Sequence, residues 1–486
     1  MNGAIIIYVL GHVLKLEGLL MLPSVVVGIL YKETQCWAFL ATSVICLILG
    51  TLMSLKKPRD TVFYLKEGCV TTALSWIMMS AFGALPFVFT GEIPSFTDAM
   101  FETVSGFTTT GSSILTDVEA MCHASLFWRS FTHWIGGMGV LVFLLAIVPM
   151  SGGSHFNLMK AESPGPSVGK LVPKAGTTAR ILYVIYFVMT VITIALLILS
   201  GMDVFDAFCI GFGTAGTGGF GIKADSCASY TTLQIWIITI GMFLFGVNFN
   251  FYYYLLYKKI AKAFGMEEVR WYLIIVLAAI AVCFMTLLDT FTPFEALTHA
   301  AFQVSTIITT TGYATTDFNL WHSAARTVLV LLMFCGACAG STGGGIKVSR
   351  IVVLFKSAVH EIGAYIHPRS VRRIKVEGSP VEHEVIRSIN VYLTTYMVLF
   401  VASVFVLSIE GKDLVTTFTA VAATFNNIGP GLEMVGPTSH FAHFTTVSKW
   451  VLIFDMLAGR LELFPMLILF HPTIWKEMVQ RRKKSN

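Results

Sequence analysis

The residues in this chain best placed to do chemistry are four short runs of threonine, glycine and asparagine, and the chemistry they offer is that of the peptide backbone. They read Val104-Ser-Gly-Phe-Thr-Thr-Thr-Gly-Ser112, Gly213-Thr-Ala-Gly-Thr-Gly-Gly-Phe220, Ser305-Thr-Ile-Ile-Thr-Thr-Thr-Gly-Tyr313 and Ala423-Thr-Phe-Asn-Asn-Ile-Gly-Pro-Gly431. Glycine reaches backbone angles that let successive carbonyl oxygens face a common axis. Rings of such oxygens can replace the hydration shell of a monovalent cation such as potassium. Small residues also let helices pack closely in lipid. One run alone fits that use; four, each just ahead of a long apolar segment, argue for a pore lined by backbone.

The elements that must position these runs repeat with them. From Cys69 onward a unit recurs four times: an apolar span, a short amphipathic stretch opened by an acid, the run, and a second apolar span. First spans are expected at 69–90, 179–201, 271–289 and 388–408, second spans at 128–149, 232–257, 325–346 and 447–471. The opening acids Asp98, Asp206, Glu295 and Asp413 precede Gly111, Gly219, Gly312 and Gly429 by 13, 13, 17 and 16 residues. That spacing gives half-helices too short to cross a bilayer. Thr292-Pro293 supplies a capping hydroxyl and a first-turn proline, and the acids suit the positive helix end. Segments 4–30 and 36–55 form a leading hairpin without a run. The sequence thus predicts ten spans in an all-α polytopic membrane protein: a leading two-helix hairpin plus four helix–pore-loop–helix repeats around a pseudo-fourfold central pore. The divisions expected are 1–66 for the hairpin, then 67–170, 171–265, 266–380 and 381–486 for the repeats.

Composition agrees. Of 486 residues 55% are hydrophobic and 13% charged, with mean hydropathy +0.75, which points away from soluble classes. The segments expected in the cytoplasm (56–67, 160–180, 256–270, 347–387 and 471–486) hold 25 of the 33 Lys and Arg. By the positive-inside rule both termini lie inside and the four runs face outward. Lys15 and Glu17 interrupt the first segment, against a cleaved signal peptide. The basic loops act as topology signals, with no motif for nucleic acid beside them. The region 347–387 reads as a long cytoplasmic connection. Nine scattered cysteines read as small core residues rather than a disulfide or zinc framework. His360-Glu361 and His383-Glu384 begin a zinc-protease motif that neither completes, and His133 and His299 read as packed core residues. No catalytic cluster supports an enzyme.

Two further features bear on an ion path. Gly336-Ala-Cys-Ala-Gly-Ser-Thr-Gly-Gly-Gly345 interrupts a span, and each glycine costs a helix about 1 kcal/mol relative to alanine. Non-helical backbone at membrane depth survives only inside protein or beside water, so the run is either a movable loop across the path or a close-packing face. It is no phosphate loop, because Ile346 separates Gly345 from Lys347. Arg460 lies inside the apolar segment 450–470. A charge there is a functional hypothesis by default: it would raise a barrier to cations and could hold the Gly-rich loop by its carbonyls, or it could pair with Asp455 or Glu462.

The four units, the segment Gly340-Ser-Thr-Gly-Gly-Gly-Ile-Lys347 and Gly459-Arg-Leu-Glu462 together resemble the Trk/Ktr/HKT superfamily of potassium transporters, most closely its bacterial Trk membrane subunits. The resemblance implies a fourfold pseudo-symmetric pore in each subunit, potassium as the transported ion with no bound cofactor, a homodimer, and a cytosolic regulatory subunit that binds a nucleotide of the NAD or ATP type. It places the protein in the bacterial cytoplasmic (inner) membrane. Gly111, Gly219, Gly312 and Gly429 would form one ring of the filter, with Thr109, Thr110, Thr217, Gly218, Thr310, Thr311, Asn427 and Ile428 supplying adjacent carbonyls. Gly340, Ser341, Thr342, Gly343, Gly344, Gly345, Lys347 and Arg460 would form the gate. None of the runs reads Thr-Val-Gly-Tyr-Gly, so a less symmetric filter is expected. In the related plant proteins a serine at the first glycine goes with sodium preference; Gly111 favours potassium. Gly431 could replace Gly429 if Pro430 shifts the register. Both uptake driven by membrane potential and symport with protons or sodium fit.

Overall fold

The computed structural model describes residues 1–58, 64–139, 175–367 and 373–476. Six of its helices are long and apolar enough to cross a membrane: Gly3–Leu30, Cys36–Ser54, Leu65–Thr90, Ala175–Leu199, Glu267–Leu287 and His383–Ser408. They coincide with the expected hairpin and the four expected first spans. In the hairpin the backbones touch: a Cβ on Gly11 would lie 2.8 Å from the carbonyl oxygen of Gly50, and one on Gly50 2.6 Å from that of Gly11. Ser43 Oγ donates to Gly18 O at 2.6 Å across the same seam, the small-residue packing that lipid favours.

Three of the four expected second spans are not continuous helices, and at 325–346 the break falls at the Gly-rich run, where an interruption is expected. The span expected at 232–257 is two helices, Thr232–Phe245 and Phe249–Leu256, bent by 90°. Gly246 closes the first and Asn248 caps the second, its Oδ1 accepting from Asn250 N at 2.9 Å. The span expected at 325–346 is helical only over Ser323–Cys335. Gly336, at φ +69°, ends it in a conformation that a side chain would strain. The one expected at 447–471 is helical over Thr446–Arg460, breaks at Glu462 and Leu463, both of positive φ, and resumes at Phe464–Ile468. Helix His123–Gly137 begins the span expected at 128–149; its end, like most of the expected cytoplasmic segment 160–180, lies outside the described residues.

Between the long helices lie four short ones, Phe96–Phe107, Val204–Gly216, Pro293–Ile308 and Leu414–Phe425. At 12, 13, 16 and 12 residues each measures about 18–24 Å, short of a bilayer core of about 30 Å. Their starts are fixed locally. Ser95 and Asp413 accept from backbone N–H groups three residues on, Asp203 from one two residues on, and Thr292 forms a capping box with Glu295. Asp98 and Asp206 sit in the first turn rather than at the cap, and pair with Lys449 at 2.6 Å and Lys223 at 3.7 Å. All four short helices are buried along most of their length.

The stretch 347–387, expected as a plain connection, contains structure of its own. Val348–Ile366 is a helix, and Lys375–Val376 pairs antiparallel with Ser379–Pro380. Glu377 and Gly378, at φ +52° and +78°, make the tight turn between them.

Candidate functional site

Each short helix ends in the same way. The backbone N–H groups of Thr110, Gly218, Thr311 and Ile428 reach back to the carbonyls of Ser105, Gly213, Thr306 and Ala423 at 2.8–2.9 Å. The residue before each, Thr109, Thr217, Thr310 or Asn427, is left-handed at φ +54° to +58°. This is a Schellman-type helix end, whose left-handed position glycine usually fills. Threonine there costs about 1–2 kcal/mol, and three of the four runs carry it. The residue after each pair, Gly111, Gly219, Gly312 or Gly429, again has positive φ, from +80° to +101°.

These four glycines meet one another's runs in a closed cycle. A Cβ on Gly111 would lie 2.2 Å from Gly218 O, on Gly219 1.9 Å from Thr311 O, on Gly312 2.1 Å from Ile428 O, and on Gly429 2.8 Å from Thr110 O. Run one thus abuts run two, two abuts three, three abuts four, and four returns to one. A side chain at any of the four would have to displace the facing backbone, and the positive φ would strain it. The fourth register is fixed as well: Gly429 joins the cycle, whereas Gly431 donates its N–H to Val435 O at 2.7 Å and faces Thr419. All four cycle glycines line one cavity of about 190 Å³, with Ser112, Arg129 and Pro430 among its other walls.

Side chains behind the runs hold this cycle. His133, fully buried, makes a 2.8 Å bond from Nδ1 to Gly106 O and accepts at Nε2 from Phe220 N at 3.2 Å. Its ring joins runs one and two, and the pairing fixes the neutral tautomer with hydrogen on Nδ1. Glu102 and Arg129 form a buried ion pair at 2.8 Å. Glu102 also accepts from Ser113 Oγ and Ile114 N, both at 2.9 Å, and Arg129 lies over the Phe220 ring at 4.1 Å. Thr110 Oγ1 meets Thr108 Oγ1 at 2.7 Å and accepts from Asn427 Nδ2 at 2.9 Å, which ties run four to run one. Nothing in the sequence analysis singles out Glu102 or Arg129.

Immediately beside the cycle sits the Gly-rich segment. A Cβ on Gly343 would lie 2.9 Å from Thr309 O and one on Gly344 2.6 Å from Asn426 O. Gly344 N donates to Thr310 Oγ1 at 2.6 Å, and Thr217 Oγ1 donates to Thr342 Oγ1 at 3.4 Å. Residues 336–347 are therefore a non-helical loop packed against runs two, three and four. Gly340 and Gly345 have positive φ, as does Lys347, whose Nζ donates to Gly343 O. Ser341 Oγ donates to Cys338 O at 2.6 Å. Cys335 and Cys338, spaced C-x-x-C around Gly336, are free and buried.

Arg460 reaches this loop. Its guanidinium donates to Thr342 O at 2.8 Å and to Gly136 O and Gly137 O at 2.6 and 2.8 Å. Of the two nearby acids, Asp455 accepts from Ser403 Oγ at 2.7 Å, and Glu462 pairs with Arg350. One cation thus ties the loop to the end of the His123–Gly137 helix.

The chain matches the family model of TrkH, a cation transport protein, over residues 36–478. It is 35% identical over 476 residues to the Trk system potassium uptake protein TrkH of Salmonella typhimurium, covering 96% of this chain and 97% of that one. It is 33% identical to the Trk system potassium uptake protein TrkG of Escherichia coli, over 97% of this chain and 98% of the relative. The crystal structure of the potassium transporter TrkH from Vibrio parahaemolyticus superposes with a TM-score of 0.88 at 33% identity, covering 98% of this chain and 100% of that one. The chain is therefore a multi-pass membrane protein that belongs to the TrkH family of cation transport proteins, and it is not an enzyme.

Proposed function

We propose that this protein carries potassium into the cell across the bacterial inner membrane, through a filter of backbone carbonyls built from the four runs. The observation that carries the reading is the closed cycle Gly111, Gly219, Gly312, Gly429, in which each glycine lies against a carbonyl of the next run. Carbonyls of Thr109, Thr110, Thr217, Gly218, Thr310, Thr311, Asn427 and Ile428 would line the axis and substitute for water around a dehydrated ion. The four short helices end at the runs, so their partial negative charge favours a cation there. The relatives' names as potassium uptake proteins support the choice of ion.

The Gly-rich loop serves as the gate in this reading, with Lys347 and Arg460 as its fixed charges. Seated against three runs and held by Arg460, it obstructs the inner mouth, and a guanidinium beside the path repels cations. Membrane potential supplies the drive, about 2.3 kcal/mol per charge per 100 mV. Ten spans in a hairpin and four pore repeats, cytoplasmic termini, a homodimer and a cytosolic nucleotide-binding regulator complete the proposal.

Rubidium and sodium flux into proteoliposomes, with and without an imposed voltage, tests it. Voltage-driven rubidium entry with no accompanying proton or sodium movement is expected. Stoichiometric movement of either would replace the conduction mechanism with symport, and absence of rubidium entry would remove the potassium reading.

A further inference from the structure

Two backbone breaks lie side by side at membrane depth, the loop 336–347 and the bend at 246–248. They are hydrogen-bonded to each other: Cys338 N donates to Gly246 O at 3.1 Å, Phe249 N to Gly340 O at 3.0 Å, and Thr342 N to Phe245 O at 3.4 Å. One side chain from a third element reaches both. Glu268, the second residue of helix Glu267–Leu287, accepts at Oε1 from Ala339 N at 2.6 Å and from Ser349 N at 3.1 Å. Its Oε2 accepts from Asn248 Nδ2 at 3.4 Å.

The placement of these bonds is what gives them consequence. Ala339 and Ser349 flank the segment that packs against runs two to four, so a single carboxylate oxygen pins both ends of a Gly-rich stretch that would otherwise sample many conformations. Hydrogen bonds to an ionised acceptor are the stronger kind. Neither end of the loop can leave its seat without giving up a bond to Oε1, and the other oxygen holds Asn248, the cap that shapes the adjacent bend.

We propose that Glu268 is the positioning residue of the gate: its carboxylate locks the loop and the neighbouring bend into one seated unit, and unseating the loop requires release of Ala339 and Ser349. The inference rests on the reading of that loop as the gate, and the test separates the two. Cys338 lies within the loop and is fully buried, whereas Cys122 lies at the start of the outer His123–Gly137 helix and is half-buried. The rate at which each is modified by N-ethylmaleimide in the full-length protein in proteoliposomes, read by mass spectrometry of the peptides, reports loop seating and general integrity separately. In Glu268→Ala, Cys338 should react about tenfold faster or more, as expected for loss of charge-assisted hydrogen bonds, with Cys122 unchanged. Glu268→Gln keeps a carbonyl oxygen at the position that serves both loop ends but loses the charge, so Cys338 should react at a rate between the native protein's and the alanine variant's. Glu268→Asp keeps the charge but is one methylene too short to reach both ends, so Cys338 should react faster; with Glu268→Gln it carries the test if the alanine variant does not fold. Native protection of Cys338 in both Glu268→Ala and Glu268→Asp overturns the proposal, as does a parallel rise at Cys122 or a glutamine variant as reactive as alanine. Rubidium flux measured on the same vesicles should rise with Cys338 reactivity; faster labelling with unchanged flux would uphold the positioning role and overturn the loop as gate.

Discussion

Gly111 and Thr109 stand two residues apart, and both adopt backbone angles that most side chains avoid. A serine at 111 would have to displace the Gly218 carbonyl, because its Cβ would fall 2.2 Å from that oxygen. Gly111→Ser is therefore expected to lower the rubidium-to-sodium uptake ratio several-fold in proteoliposomes; an unchanged ratio would detach Gly111 from selectivity. Gly431→Ala meets only side-chain atoms and should leave the ratio near native. Arg460→Ala should raise rubidium flux, and Arg460→Lys should raise it too, since an ammonium cannot span the three carbonyls that the planar guanidinium reaches. Unchanged or reduced flux in correctly folded protein would count against the barrier. The cycle glycines and Arg460 were legible in the sequence because each violates what a membrane helix tolerates. Glu102, Arg129 and Glu268 were not: what matters in them is a partner far along the chain, and no local pattern announces it. The choice between Gly429 and Gly431 was equally closed to local reasoning, since Pro430 permits either and only contact with run one decides.

The short helices are the elements on which the arrangement depends, and their caps and buried pairs set how firmly they are held. Glu102→Gln leaves Arg129 buried without its counter-charge, a loss of about 3–5 kcal/mol. It should appear as a marked drop in the melting temperature of the detergent-solubilised protein, with Glu102→Gln/Arg129→Met recovering part of it. Asp413 is held below the usual carboxylate range by hydrogen bonds from Thr416. A depressed folded value means its contribution is present above the ordinary carboxylate pKa of about 4 and is lost as pH falls through the folded value. Asp413→Asn keeps a capping oxygen without the titration, so its melting temperature should fall less than the native protein's between neutral and strongly acidic pH. First spans and half-helices could be read from apolar length, starting acids and Thr292-Pro293. The breaks in the second spans could be read only where glycines cluster, at 336–345. At 246–248 and 461–463 a single glycine or none marks them, so no local pattern gives them away.

At the scale of the molecule, four unequal runs converge so that every member of the cycle is completed by the next. The inequality sits in the side chains: threonine, glycine, threonine and isoleucine fill the position before the cycle glycine, while backbone angles stay nearly constant. The backbone angles therefore recur from run to run while the side chains do not, which is why the runs differ and still meet. The central claim is that these four runs surround one site for a dehydrated cation. Anomalous scattering from crystals grown in rubidium tests it most directly: the expected result is a rubidium peak enclosed by carbonyls of Thr110, Gly218, Thr311 and Ile428. Ordered rubidium away from the four runs, with none between them, would contradict it.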